Sequence, residues 1–218
     1  MKRAIHILIS AALVLMLVGS LTAAEDSFKG LDYPKWGFCI QIPAGSEKAE
    51  DDAVPGVVFQ EQYIHDNLVY SIQVADFSEQ QITDDQAVDL MLGMLSWMGQ
   101  SGSGPAPERV ELKTPSGIEF KGVKCTFQEY ERTNPDGSKE RMQLGSTLLK
   151  KTFGKGPIRT TVYLTPLAAK QKHLLVLSVN GDKDSRNKVD AAAETMAKSV
   201  KMVVLGSGPI PAPADGGK

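Results

Sequence analysis

The stretch Val57–Met98, VVFQEQYIHDNLVYSIQVADFSEQQITDDQAVDLMLGMLSWM, carries two periodicities side by side, and their junction decides the fold class. Val57 to Tyr63 reads as a strand, and His65-Asp66-Asn67 as the turn that follows it. From Leu68 to Phe77 the residues Tyr70, Ile72 and Val74 alternate on one face, as a half-buried strand requires. The period then changes. Thr83 is a good N-cap, and Gln86 three residues on completes a capping box. Ala87, Val88, Met91, Leu92, Met94, Leu95 and Met98 follow at helical spacing, and Gly99 ends the run. A strand meander running into an amphipathic helix predicts an α+β fold.

Working outward, Trp36 to Pro43 reads as a strand in which Phe38, Ile40 and Ile42 alternate, preceded by a lead-in over Glu25 to Lys35. Ala44 to Pro55, with its acidic run Glu50-Asp51-Asp52, reads as a solvated polar loop, and the glycine- and proline-rich Gly99 to Pro107 as a flexible one. Val110 to Thr114 predicts a strand. Ile118 to Glu131 predicts a longer one whose alternation changes parity near Gly122, the mark of a bulge. After the turn Asn134-Pro135-Asp136-Gly137, Arg141 to Phe153 reads as its returning partner, and Gly154-Lys155-Gly156-Pro157 as another hairpin turn. Ile158 to Leu164 and the almost continuously apolar Leu174 to Val179 give two more strands, the second central. Asp184 or Ser185 caps a second helix with Val189, Ala192, Ala193, Met196, Ala197 and Val200 on one stripe. The expectation is a single domain over 25–205, an antiparallel sheet packed by two main helices, followed by a disordered Gly/Pro/Ala tail over 206–218.

The first residues read as an address. Lys2 and Arg3 precede an apolar run from Ala4 to Leu21, and Thr22-Ala23-Ala24 supplies small residues before Glu25. That is the pattern of a secretory signal peptide, residues 1–24, with cleavage after Ala24. A retained anchor is the alternative, since the run approaches the ~20 residues that span a bilayer. Nothing later in the sequence reads as a membrane span. The location expected is therefore periplasmic or secreted. The 218 residues carry 24 basic and 26 acidic side chains. Removal of Lys2 and Arg3 makes the chain more acidic, which disfavours nucleic acid and anionic membrane surfaces as partners.

Cys39 and Cys125 form a candidate disulfide in an exported chain. Cys39 falls between the inward Phe38 and Ile40, whereas Cys125 shares its parity with Val123 and Phe127. If Val123 and Phe127 also face a core, the two sulfurs point opposite ways, so two separate thiols are the alternative.

The opening Gly37-Phe38-Cys39-Ile40-Gln41-Ile42-Pro43-Ala44-Gly45, the helix after Thr83 and the closing strand and helix to Ser199-Val200 resemble the PsbP-like fold. That family includes the extrinsic photosystem II protein, a Ran-binding nuclear import factor and DcrB-type bacterial envelope proteins. The likeness spans roughly residues 28–205, and Ser46 stands where the family often has an aromatic residue. The resemblance implies a mostly non-enzymatic protein that binds or stabilises partners.

The residues themselves show no catalytic pattern. No G-x-S-x-G occurs, and only His65 and His173 follow the signal segment. His65 lies in a hairpin turn, and His173 beside Lys170 and Lys172 reads as a strand-end surface residue. Asp182-Lys183-Asp184 begins like a calcium loop, but Arg186 stands where a ligand is needed, which leaves a turn and helix cap. No metal site and no cofactor are expected. The sequence points to an exported, non-enzymatic protein that binds a protein partner or supports assembly in the bacterial envelope. A carrier of a small apolar ligand and a secreted enzyme of another type are the alternatives. Trp97 falls off the helix stripe beside the glycine loop, so Trp97, Met98 and Gln100 are the candidate partner-binding residues.

Overall fold

The computed structural model describes residues 27–100, 105–128, 130–133, 136–142 and 146–203. The signal segment 1–24 and the tail 206–218 lie outside these. The frame is a seven-stranded antiparallel sheet. Its strands are β3 (Glu47–Ala49), β4 (Val57–His65), β5 (Leu68–Asp76), β6 (Glu108–Lys113), β7 (Glu119–Phe127), β10 (Ile158–Pro166) and β11 (His173–Asp182), in the order β3-β4-β5-β11-β10-β7-β6. The β4–β5 turn places Asp66 and Asn67 at φ 48° and 59°, the left-handed pair that a two-residue hairpin with the right twist demands. β11, read as central, lies at the middle of this order.

One face of the sheet is sealed. A small sheet of β1 (Phe28–Tyr33), β2 (Phe38–Pro43) and β12 (Lys201–Met202), in the order β1-β2-β12, packs there together with the helix α3 (Arg186–Lys198). Phe38, Ile40 and Ile42 join Ile72, Val74, Leu175, Leu177 and Val179 in one buried cluster with Val189, Ala193, Met196 and Ala197 of α3. Asp182 caps this end of the chain, its carboxylate accepting from the backbone N–H groups of Asp184 and Ser185. α3 is tied down by Arg159, a buried guanidinium held by Asp190 with Nη2 to Oδ1 and Oδ2 both at 3.0 Å. Thr161 donates to the same carboxylate at 2.6 Å.

The other face carries α1 (Asp84–Gln100), whose Ala87, Val88 and Leu92 pack on Val123, Val162, Leu164, Leu174 and Val176. The capping box forms: Gln86 N–H donates to Thr83 Oγ1 at 3.3 Å, and Thr83 N–H to Gln86 Oε1 at 2.9 Å. A third helix among the described residues, α2 (Thr147–Phe153), is short and also lies against β11.

Several local readings are corrected. The lead-in contains β1, an edge strand whose only partner is β2. The polar loop contains β3. β7 has no bulge at Gly122: it stays in register with β6 over Glu119–Lys124 and with β10 over Lys121–Phe127. The parity change arises because both faces of β7 are covered, Phe120 in one core and Val123 in the other. Gly122 is required there by close approach, since a Cβ would stand 2.4 Å from the Val162 carbonyl oxygen. The returning strand after β8 (Tyr130–Thr133) is only β9 (Lys139–Met142), and Thr147 onward is helical. Gly154 therefore caps a helix and does not turn a hairpin.

Candidate functional site

The open face divides into two sectors because of side-chain chemistry in β4, β5 and β11. The residues of these strands that face the sealed side are mainly apolar, Glu61 being an exception, while their neighbours along each strand include Gln60 and Gln62, Ser71 and Gln73, and Ser178 and Asn180. Register lines these up in rows. Gln62 pairs with Ser71, Ser71 with Ser178, and Ser178 with Val162. One row along, Thr160 pairs with Asn180. α1 sits on the apolar sector and leaves the polar one as the floor of a groove of about 460 Å³. Such a volume suits a small ligand.

The walls come from three places. Met91, Leu95 and Met98 of α1 form one side, Leu149 of α2 and Phe127 of β7 close the end, and Val54 with Pro55 forms the opposite lip. α2 is held over the floor by the acidic run that read as solvated loop. Asp51 accepts from Leu148 N–H at 3.0 Å and from Gln62 Nε2 at 3.0 Å, and Asp52 accepts from Thr147 Oγ1. Ser146 adds the ordinary N-cap.

Two of the buried oxygens that have no partner among the described residues line the groove, Ser71 Oγ and Gln62 Oε1, in residues only 3% and 6% exposed, while Gln60 Oε1 and Ser96 Oγ, also without one, lie outside its lining. Buried polar atoms are nearly always satisfied, and leaving one alone destabilises the fold. The bond from Gln62 Nε2 to Asp51 fixes which end of that amide is left over: a carbonyl oxygen, an acceptor. Asn180 and Thr160 are satisfied by each other at 2.8 Å.

The rim of α1 is apolar. Leu90, Met94 and Trp97 are 46%, 55% and 57% exposed and follow one another at helical spacing. Leu90 and Met94 line the groove, and Trp97 continues their line beyond it. Of the candidate partner-binding residues, Trp97 is thus on the rim and Met98 in the wall. The side chain of Gln100 lies outside the described residues. Met94, counted with the core stripe in the sequence, faces outward.

A second cleft of about 550 Å³ lies against α1 beside β6 and β7. Both of its lysines are paired within the protein, Lys113 with Glu119 at 2.9 Å and Lys121 with Asp89 at 3.6 Å.

The remaining chemical candidates are scattered. His65 sits at the β4–β5 turn, 3.6 Å from Asp66. His173 is buried, contrary to the surface position expected. Its ring lies 5.9 Å from that of Trp36, and its Nε2 is 3.6 Å from Asp76. Neither pair includes a thiol. Cys39 and Cys125 are both free. Cys39 is half-buried in β2, in the small sheet on the sealed side, whereas Cys125 is buried in β7 on the α1 side. The backbone of Gly99 closes over Cys125, with room for no Cβ (2.7 Å from that of Cys125). The seven-stranded sheet stands between the two sulfurs, which accounts for the missing bridge. Burial pushes the Cys125 thiol up to about 12, the neutral form. Among the described residues no group of three His, Cys, Asp or Glu side chains could hold a metal ion, and no helix is long and apolar enough to cross a membrane.

No family model matches the chain, and no curated protein matches its sequence. Solved structures do align with it. Cyanobacterial PsbP (CyanoP) from Synechocystis is similar at 11% identity over 83% of this chain and 95% of its own, with a TM-score of 0.45. The Ran-binding protein Mog1p of Saccharomyces cerevisiae aligns at 13% identity over 82% of this chain and 97% of its own, with a TM-score of 0.44. LpqN of Mycobacterium tuberculosis, involved in cell envelope biogenesis, aligns at 9% identity over 84% and 88%, with a TM-score of 0.35. The PsbP-like proteins to which the sequence points are thus among the structures that align with this chain.

Proposed function

We propose that this chain is an exported, non-enzymatic binding protein of the bacterial envelope whose ligand occupies the groove between α1, α2 and the sheet. The observation that carries this reading is the pair of unpartnered buried oxygens, Ser71 Oγ and Gln62 Oε1, under a wall of methionine and leucine. A floor that only filled space would be apolar, as it is beneath the rest of α1. Methionine walls adapt to ligands of varied shape. Export rests on the basic, apolar and small-residue succession of residues 2–24.

Native mass spectrometry of protein purified from its own host tests the reading. The expected result is a non-covalent adduct that is lost on denaturation and depleted in Met94→Asp, a rim change that leaves the core untouched. Absence of any adduct, together with no saturable uptake of an apolar dye, counts against the groove. Turnover of any substrate that disappears on changing Cys39 or His173 counts against the non-enzymatic part.

Exposure of Leu90, Met94 and Trp97 favours a second reading, in which this rim docks a protein partner in the envelope. Trp97→Ala separates the two: it weakens partner recovery and leaves adduct formation in the groove unchanged.

A further inference from the structure

The charge of the groove narrows its ligand further, on the premise that the groove is the binding site. Among the described residues that line it are two carboxylates, Asp51 and Asp76, and no lysine, arginine or histidine. The nearby ammonium of Lys172 is held by the carbonyl oxygen of Gln80 at 2.9 Å. Both carboxylates are already engaged: Asp51 by Leu148 N–H and Gln62, Asp76 by Ser78 N–H at 2.7 Å and by His173. An anion entering this space would lose its water, find no counter-charge and approach two negative groups. A cation is not called for either, because neither carboxylate lacks a partner. What the floor offers is an acceptor oxygen on Gln62 and a hydroxyl on Ser71 that can accept or donate.

We infer that the groove takes an uncharged amphiphile: an apolar chain or ring system on the methionine wall, with a hydroxyl or amide head that donates to Gln62 Oε1 and shares a hydrogen bond, in either direction, with Ser71 Oγ. Fatty acids, phospholipid headgroups and other organic anions are rejected. Selectivity of this kind combines attraction, the Gln62 acceptor and the Ser71 hydroxyl, with repulsion where no cation stands among the described lining residues.

Two dyes that share a ring system and an N–H donor test this on the full mature chain. N-phenylnaphthylamine is uncharged, and anilinonaphthalenesulfonate adds an anionic sulfonate. Fluorescence titration is expected to give saturable binding of the neutral dye, tighter than the anionic one by at least about tenfold. Ser71→Ala weakens the neutral dye severalfold. Leu149→Lys, at a half-buried position of α2, brings a cation to the end wall and narrows or inverts the preference. Gln73→Lys on the floor serves the same purpose if the α2 variant does not fold. Monolauroylglycerol displaces the neutral dye, and laurate does not.

Equal or tighter binding of the anionic dye, or displacement by laurate, overturns the inference and leaves the groove standing as a site. Failure of both dyes to bind saturably removes the groove itself. Binding of the neutral dye that neither Ser71→Ala nor a lysine variant alters places it elsewhere and overturns the inference as well.

Discussion

The two faces of the one sheet are built to opposite rules. On the sealed face Phe38, Ile40 and Ile42 of β2 and Val189, Ala193 and Ala197 of α3 form one buried cluster with Ile72, Leu175 and Leu177, with a cleft of about 280 Å³ only towards its edge, beside Phe28, Tyr70 and Thr195. The polar groups admitted there are matched, as Arg159 is by Asp190 and Thr161. On the open face α1 covers only the apolar sector, and Gln60, Gln62 and Ser71 of the remaining polar one each bury an oxygen with no partner among the described residues. The contrast separates a face that satisfies its own polar groups from one that does not, and on the proposed function the second is left so for a ligand to complete.

The sharpest way to break this contrast is to cut into each face and compare. Phe38→Ala on the sealed face removes a fully buried ring and is expected to cost about 3–5 kcal/mol of unfolding free energy. Met94→Ala on the rim of the open face, 55% exposed, should stay within about 0.5 kcal/mol. Denaturant titration of the two variants measures both. Comparable losses would mean that the faces share the load and that the division is wrong.

Next in size is the ion pair. Asp190→Ala strands the buried Arg159 guanidinium and is expected to destabilise by about 3 kcal/mol, the cost of a buried charge left alone. Lys124, 3.7 Å from Asp190, is half-buried and keeps some water about its ammonium, so it loses less than Arg159. Arg159→Met together with Asp190→Leu should recover much of the loss. A melt that stays low in the double variant would show that the pair positions α3 in a way that packing cannot replace.

A smaller, pH-dependent effect belongs to the sealed face. Burial opposes the charge on Glu61, but hydrogen bonds from Lys48, from Tyr33 at 2.5 Å and from Tyr63 at 2.7 Å outweigh it and hold the carboxyl below its ordinary range. A carboxyl depressed in the folded state contributes stability that is present above its unfolded pKa and lost as pH falls through its folded one. Glu61→Gln should therefore melt below the wild type at neutral pH, and the gap should close in acid. A gap that persists unchanged at low pH would show that Glu61 acts through shape alone.

The strands and helices on both faces were legible to different depths. β5 and α1 carried their periods openly, and the Thr83–Gln86 box is a purely local device. β1 was hidden because Phe28 to Tyr33 has no clean alternation and, among the described residues, pairs with no strand but β2. α2 was hidden for another reason: its caps, Asp51 and Asp52, come from 97 and 95 residues upstream, and no local reading can join them to Leu148 and Thr147. The groove was least legible. Ser71, Gln73, Ser178 and Asn180 sit at the positions that alternation assigns to solvent, so nothing in their spacing tells that α1 and α2 come over them. His173 misled in the same way, its flanking lysines pointing to a surface that the ring itself has left. A local rule broken without an internal compensation is most often a functional feature, and here the broken rule is the unmatched floor.

The thiols sharpen the comparison without altering stability. Cys39, half-buried in the small sheet, should react with a thiol reagent in the native protein, while Cys125, buried under Gly99 with its thiol held neutral, should react only on unfolding. Thiol counting on protein from its host, denatured without reductant, should give two. A count of zero would require a bridge across the sheet and overturn its layering.

The smallest expected effect is the most telling. Ser71 is 3% exposed and its hydroxyl has no partner among the described residues, so Ser71→Ala removes an oxygen that does nothing for the empty fold. Deleting a buried partner of a hydrogen bond normally costs stability, because a desolvated group is left behind. Here no group is left behind, since the group removed is itself the orphan. The neighbours in its row, Gln62 and Ser178, keep their backbone ladders, which the side chain does not touch. Urea titration of the ligand-free variant should give a midpoint equal to or above that of the wild type, a change within about 0.5 kcal/mol. With the uncharged dye bound, the wild type should gain stability and the variant less, because binding to the folded state alone shifts the midpoint by mass action. A loss above about 1 kcal/mol in the ligand-free variant would show that the hydroxyl already serves the fold, and the open face would then be a second sealed one.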